Sequence, residues 1–577
     1  MKNISKSALI LLIATSMFMS ACGQQIEDIT DPPVTTPPTV SEEEFTTTKE
    51  KNVPSFTVAT TTETTPATTT QPSVSSESQT SATSESTSQT SVTPVTEHTT
   101  EATTPASTNE SGEIVDDPYE GLIFNTEDPD ELYELFGLSR SERQAYYSKI
   151  SQECKLPIIH ISTENEKNVV SREKYVNCLV EVFNCDEFYV MDATSAGIRV
   201  RGNASAYYGN EDKILKYGAP YRIKFTDKQY MLGLNDDAAC KSWVLLKTYD
   251  TAVSDYLALK MAKAINDGDY YTSDCTFVQL YINEDYKGAY VLCEQTQINN
   301  YRIDIEECEP DYTGTDIGYL VELDNYWSSE DWYFLLNFNK EKITDDNGKS
   351  RVPRTYGYSV KSDIYSEDQL KFIERYFEIA YEVALRAIRD GEYYKVVDNN
   401  TLVLAQEEFS SARECIEQVW DIQSVVDMYI THELINNQDV GGGSFYFAVD
   451  FSEGADMDKL TMVSPWDFDW AYSDYSSDAD GGLYVANFKD DYFVDNWGDR
   501  SNPWLILFYS ADWFKDMVKE TWQDRVDEMS AVAAEVRTTV ENNTSDLNKD
   551  GTKRTGRAKA IINWVEDRIE YLDSLWG

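Results

Sequence analysis

The sequence is short of positive charge. It sets 49 Lys and Arg against 101 Asp and Glu, a formal charge of −52. DNA and RNA would be repelled, because affinity for them comes from neutralised phosphates, and anionic headgroups are an equally poor match. Histidine is scarcer still, with only His98, His160 and His432. A Ser-His-Asp or Cys-His enzyme is therefore not expected. No G-x-S-x-G or Walker A motif occurs, and "HELIN" is not H-E-x-x-H. The nine cysteines include no C-x-x-C, which argues against a zinc cluster. After residue 22 there is no apolar run of about 20 residues, so no helical membrane span is expected.

Aromatic residues are nearly missing from the first 118 positions, with Phe45 and Phe56 alone between residues 24 and 118. Residues 1–22 have a basic start (Lys2, Lys6), the apolar run "ALILLIATSMFM" and then "SAC". This reads as a secretory signal, too short and wrongly flanked for a span. Its end resembles the lipobox of bacterial lipoproteins, which implies cleavage before Cys22 and a lipid on that sulfur. Residues 23–118 are mostly Ser, Thr, Pro and Glu. Such a segment buries too little apolar surface to offset its ordering entropy and reads as a disordered tether. Its typical end-to-end span is roughly 50 Å. Membrane contact is expected only through the lipid, at the extracytoplasmic face of the cell membrane. For the eight other cysteines, export permits disulfides, while a reducing host would leave buried thiols; the sequence leaves both open.

From Tyr119 onwards apolar and aromatic residues recur with regular spacing. Residues 119–330 are strand-rich: "LPIIHIST", "GIRVRG", "PYRIKFT", "TFVQLYI", "GAYVLCEQ" and "IGYLVELD" are short, rich in β-branched or aromatic residues, and bounded by turn residues. One helix, 251–265, interrupts them. Residues 331–577 are helix-rich, with helical periodicity over 366–390, 422–435 and 556–576. Among these helices lies one strand pair, "SFYFAVDF" and "KLTMVSPWDFDW". The expectation is an α+β fold in two lobes, a strand-rich N-lobe and a helix-rich C-lobe.

The chemistry concentrates in "PWDFDWAY" (465–472). Taken as a strand, it places Asp467 and Asp469 on one face and Trp466, Phe468 and Trp470 on the other. Two neighbouring carboxylates raise each other's pKa or demand a cation, and a divalent metal suits oxygen ligands. Upstream, "HELINNQDVGGGSFYF" puts Asp439 in a polar turn between a helix and a strand. The hairpin that follows brings Asp439 and Asp467, 28 residues apart, to one cleft. "DLNKDG" (546–551) opens like a calcium loop, but its twelfth position is Arg557, where a bidentate Glu is needed.

These stretches, with "IRVRGNAS", "PYRIKF", "KSWVLLKTYDTAVSDYLALKMA", "VQLYINEDYKGAYVLCEQ", "GYLVELD" and "WVEDRIEYLD" in the same order, resemble the CotH kinase family, the spore coat protein H type of atypical protein kinases. The resemblance implies a two-lobed protein-kinase-like fold using ATP and Mg2+ or Mn2+. Asp439 would be the catalytic-loop acid. Asp467 would hold the metal, with Asp469 and Ser444 beside it. Arg201 and Asn203 in "RGNAS" would lie near the phosphates. Lys224 would be the phosphate-gripping lysine, with Glu294 its partner. The implied function is an extracytoplasmic kinase that moves the γ-phosphoryl group of ATP to Ser or Thr of secreted or surface proteins. Ordinary kinases carry Asn five residues after the loop aspartate; Ser444 stands there, and a hydroxyl binds magnesium more weakly than an amide oxygen. That departure supports the alternative, a non-catalytic surface lipoprotein binding a protein or polysaccharide. A glycosidase using an Asp pair is a third reading. Nothing in the sequence marks an oligomer interface.

Overall fold

The alternation of small turns and β-branched runs in the first half produces seven strands: β1 (Ile158–Thr163), β2 (Val176–Phe183), β3 (Met191–Val200), β4 (Tyr221–Gln229), β5 (Cys240–Leu246), β6 (Cys275–Ile282) and β7 (Asp285–Glu294). In the computed structural model, which describes residues 126–247, 253–472, 478–489, 500–551 and 554–577, they form a closed barrel in the order β1-β2-β3-β4-β5-β7-β6. Neighbours are antiparallel except at the seam, where β6 runs parallel to β1, with Ile159 opposite Leu280. Closure removes both sheet edges. Period-two alternation sorts the side chains. Along β4, Tyr221, Ile223 and Phe225 fill the interior with Val180, Ile198 and Trp243. Arg222 and Lys224 take the other face. Two helices, α1 (Pro129–Leu135) and α2 (Arg140–Ile150), cover the barrel outside, where Leu132 and Tyr133 meet Leu179 and Ala193. Under them the buried Glu181 carboxylate accepts from Arg143 (3.2 Å) and from the hydroxyls of Tyr133 and Tyr147.

A second sheet has five antiparallel strands: β8 (Gly318–Leu323), β9 (Tyr333–Leu336), β10 (Tyr356–Val360), β11 (Phe445–Asp450) and β12 (Thr461–Val463), in the order β12-β11-β8-β10-β9. β8 lies before residue 330 but is the central strand of this sheet, between β11 and β10. The main helices around it are α3 (Val253–Asn266), α4 (Glu367–Leu385), α5 (Ile422–Leu434), α6 (Pro503–Tyr509), α7 (Asp512–Asn542) and α8 (Arg554–Trp576). Their starts obey capping chemistry. Ser366 and Gln369 form a capping box on α4, Asp421 caps α5, and Asn502 caps α6 with Pro503 in its first turn. Trp420, Trp504 and Trp522 are fully buried among these helices.

The fold is α+β, with 39% helix and 23% strand among the described residues. The strand-rich half is a closed barrel, where a kinase-type N-lobe was expected. The described residues fall in one compact unit, Glu101–Gly577. The leader at 1–22, Cys22 and the tether at 23–118 lie outside the described residues. No described helix is long and apolar enough to cross a membrane. None of the eight described cysteines is in a disulfide. Asp546, which opens the calcium-like "DLNKDG", is buried, and its carboxylate accepts the backbone N–H groups of Lys155 (2.5 Å) and Leu156 (2.9 Å). That carboxylate ties the start of the barrel to the C-terminal helices.

Candidate active site

Helix α5 is buried almost all round and ends in the left-handed Asn436 (φ 47°). The chain then turns through a loop that its own side chains hold. The amide oxygen of Asn437 accepts the Asp439 N–H at 3.0 Å, and its other end meets His432 at 3.2 Å. Burial, with Lys489 adding to it, pushes the His432 imidazole down to about 3, so it is a neutral structural partner. Gln438 N–H donates to the Trp470 carbonyl (3.4 Å) and Tyr472 N–H to the Ile435 carbonyl (2.9 Å), stitching the loop to 465–472. Gly441 is required for space: a Cβ there would lie 2.3 Å from the Ser501 carbonyl oxygen and 2.4 Å from that of Arg500. Beneath the loop, Glu433 and Arg568 form a fully buried ion pair of 2.7 Å.

Asp439 is paired with the Arg500 guanidinium, which also lies over the Trp470 ring at 4.6 Å. The stretch 465–472 is not a strand. β12 stops at Val463, and Ser464, Asp467 and Tyr472 all have positive φ (49°, 62° and 53°). The expected sorting of side chains fails with it. Phe468 is buried, but Trp466 and Trp470 line the same cleft as Asp467 and Asp469. Asp467 holds a conformation that is strained for a residue with a Cβ, and it accepts the Ser444 hydroxyl at 3.0 Å.

A third carboxyl, absent from the sequence reading, stands behind this pair. Asp255 on α3 is buried and accepts the Phe468 N–H at 3.3 Å. Burial and the charge of Asp467 push Asp255 up to about 7. Burial, Asp467 and Asp255 push Asp469 up to about 8, against the pull of Arg201. Crowded oxygen donors that favour protonation this strongly fit a hard divalent cation. Among the described residues no three carboxylate, His or Cys groups are spaced to hold an ion by themselves. Magnesium needs no such cage, since one or two carboxylates plus substrate phosphates commonly suffice.

The cleft, about 610 Å³ in volume, brings Asp439, Ser444, Asp467 and Asp469 from one side together with Arg201 and Asn203 from the barrel side. Arg201 lies over the Trp466 ring at 5.6 Å, and Asn203 accepts from Arg172 at 2.6 Å. Two expected residues are elsewhere. Lys224 is not in the cleft lining; Arg222, two residues earlier on the same face of β4, reaches it instead. Glu294 is fully buried, pairs with Arg302 at 3.3 Å and is not in the cleft lining. Its neighbours Gln295 and Thr296 line the cleft. The sequence reading also missed Lys361, whose ammonium lies 3.2 Å from Glu322, 3.3 Å from Asp324 and 3.1 Å from Glu330. Burial drives Glu322 up to about 7 despite that lysine. Glu322 and Asp324 stood within "GYLVELD"; Lys361 and Arg500 had no motif to reveal them.

No curated protein matches the chain. A family model described as "CotH kinase protein" matches residues 198–572. That stretch runs from the barrel strand before the Arg201 loop to the last helix, and so contains every cleft residue named above except Arg172. The two acidic segments that open on the cleft, 439–444 and 467–469, both lie inside the matched stretch. The chain belongs to the CotH kinase protein family.

Proposed function

We propose that the cleft is the nucleotide site of a protein kinase that transfers the γ-phosphoryl group of ATP to a Ser or Thr hydroxyl. One observation carries this reading: Asp439, Ser444, Asp467 and Asp469 leave separate backbone segments and open on one cleft opposite Arg201 and Asn203. Asp439 would accept the hydroxyl proton of the acceptor. Asp467, with Ser444 on its carboxylate and Asp469 beside it, would hold Mg2+ or Mn2+. The bound metal would supply charge neutralisation on the phosphates. Arg201 and Asn203 would orient the phosphate chain. The leader and lipobox-like Cys22 support an anchored enzyme at the extracytoplasmic face, acting on secreted or surface proteins. The arginines facing the cleft fit an anion better than a neutral sugar.

A second reading has its own observation. Arg500 sits on the carboxylate that would act as base, and Ser444 replaces the usual amide ligand. Both favour a nucleotide-binding scaffold without turnover. Thermal shift with ATP and Mg2+ on the full chain, repeated with Asp467→Ala, tests the shared site: the parent is stabilised and the variant is not. Asp439→Asn then separates the readings. It keeps the nucleotide and loses phosphoryl transfer to a mixed protein acceptor if the chain is an enzyme. Equal transfer by parent and variant would rule out Asp439 as base. A parent that binds nucleotide without any transfer supports the scaffold.

A further inference from the structure

The barrel side of the cleft has an unusual charge composition for this chain. Arg172, Arg199, Arg201 and Arg222 all line it, and that side contributes no carboxylate. In a molecule of formal charge −52, acidic partners are plentiful. Yet among the described residues none of the four forms an ion pair. Neutral groups hold Arg172, Arg199 and Arg222 instead, while Arg201 also feels the Asp469 carboxyl. Arg172 donates to the Asn203 amide oxygen at 2.6 Å. Arg199 donates to the Arg172 carbonyl and lies over the Tyr175 ring at 5.2 Å. Arg222 donates to the Ser242 hydroxyl at 3.2 Å, and its Nε is buried without an acceptor. Arg199 and Arg222 are direct cross-strand partners, so two like charges face one another on adjacent strands. Such pairing is destabilising unless an anion lies between or above the two. Burial and the charges of Arg199, Arg201 and Arg302 pull the Arg222 guanidinium below its ordinary range.

Guanidinium forks bind phosphate oxygens bidentately, which makes a row of them a match for successive phosphates. The means of reading a base are weaker. Of the rings lining the cleft, Trp466 and Trp470 each already carry a guanidinium, Arg201 at 5.6 Å and Arg500 at 4.6 Å, which leaves the exposed Tyr208 and Tyr326 as stacking faces that would hold any base alike. We propose that the arginine wall recognises the donor through its linear phosphate chain, with the base largely dispensable, so that inorganic tripolyphosphate occupies the cleft in place of ATP. This rests on the nucleotide reading above and names the donor class as linear polyphosphates.

The test is calorimetric titration of the full chain with magnesium tripolyphosphate and with magnesium ATP, GTP and CTP, followed by competition. Tripolyphosphate is expected to displace ATP with a Kd within tenfold of that of ATP, and the three nucleotides to agree within about threefold. Arg199→Gln and Arg222→Gln are each expected to weaken tripolyphosphate at least tenfold, with Arg222→Lys between parent and Gln, and the Gln variants are expected to melt no lower than the parent without ligand because the facing like charges are relieved. A wild-type Kd for tripolyphosphate more than tenfold above that of ATP overturns the proposal, whether or not the variants fold. So do folded Gln variants that bind as the parent does. If ATP binds, is lost in Asp467→Asn and is insensitive to the arginines, this inference falls while the nucleotide site stands. If tripolyphosphate binds through the arginines and ATP does not, the nucleotide reading falls instead. Binding of neither ligand removes both.

Discussion

Arg568→Met is the most informative single change away from the cleft. Arg568 is fully buried and donates to Glu433 at 2.7 Å and to the carbonyls of Ala479 and Gly482, both at 2.8 Å. Glu433, equally buried, also accepts the N–H groups of Tyr484 (2.6 Å) and Val485 (2.8 Å). Methionine keeps much of the volume but leaves a buried carboxylate without its cation. Breaking one side of such a pair costs about 3–5 kcal/mol. For a folded part of roughly 450 residues the unfolding entropy is about 0.9 kcal/mol per degree, so Tm should fall by about 3–5 °C. Because Glu433 lies six residues before Asp439, the loop should loosen as well, with nucleotide-dependent stabilisation reduced. Scanning calorimetry with and without magnesium ATP reads both effects. Adding Glu433→Gln removes the orphaned charge while keeping an acceptor for the two N–H groups, and should recover at least half the lost Tm. A single variant that melts within about 1 °C of the parent, or a double variant worse than the single, would refute the reasoning.

Three further outcomes are expected. Gly441→Ala forces a methyl against the carbonyls of Arg500 and Ser501 and should cost about 1–3 kcal/mol, read by chemical denaturation, with loss of phosphoryl transfer. Asp255→Asn should stabilise the protein in EDTA as pH rises. The Asp255 carboxyl is raised to about 7 in the fold, so between about pH 4 and 7 the native state holds a proton that the unfolded state releases, and wild-type stability falls with pH through that window. The advantage of Asn is therefore absent at pH 4 and levels off above pH 7; an advantage that shrinks with pH would contradict it. Ellman titration of the native chain should find at most Cys154 and Cys185 reactive among the eight described cysteines, since the other six are buried, and all eight after denaturation.

The helices and barrel strands that show clear periodicity are where the sequence placed them. The long α7 was not, because only eight of its 31 residues are buried and its apolar stripe is correspondingly faint. The convergence of Asp439 with Asp467 and Asp469 was legible from the hairpin between them, but the strand geometry used to argue it was not present. Positive φ at Asp467 leaves no trace in an alternating pattern of residue types. Lys224 and Arg222 share a face, and alternation alone does not say which end of β4 meets the cleft. Glu294 looked like a cleft residue because it closes a motif, whereas its burial beside Arg302 depends on the chain that follows. Arg500 and Lys361 reach the cleft only through tertiary folding, so no local spacing announces them.

The Glu433–Arg568 pair also orders events during synthesis. Every barrel strand has been made once residue 294 leaves the ribosome, but Arg568, the brace under the Asp439 loop, follows that loop by more than a hundred residues. A chain that stops short of Arg568 leaves the Glu433 carboxylate without its cation and the Asp439 loop without that brace.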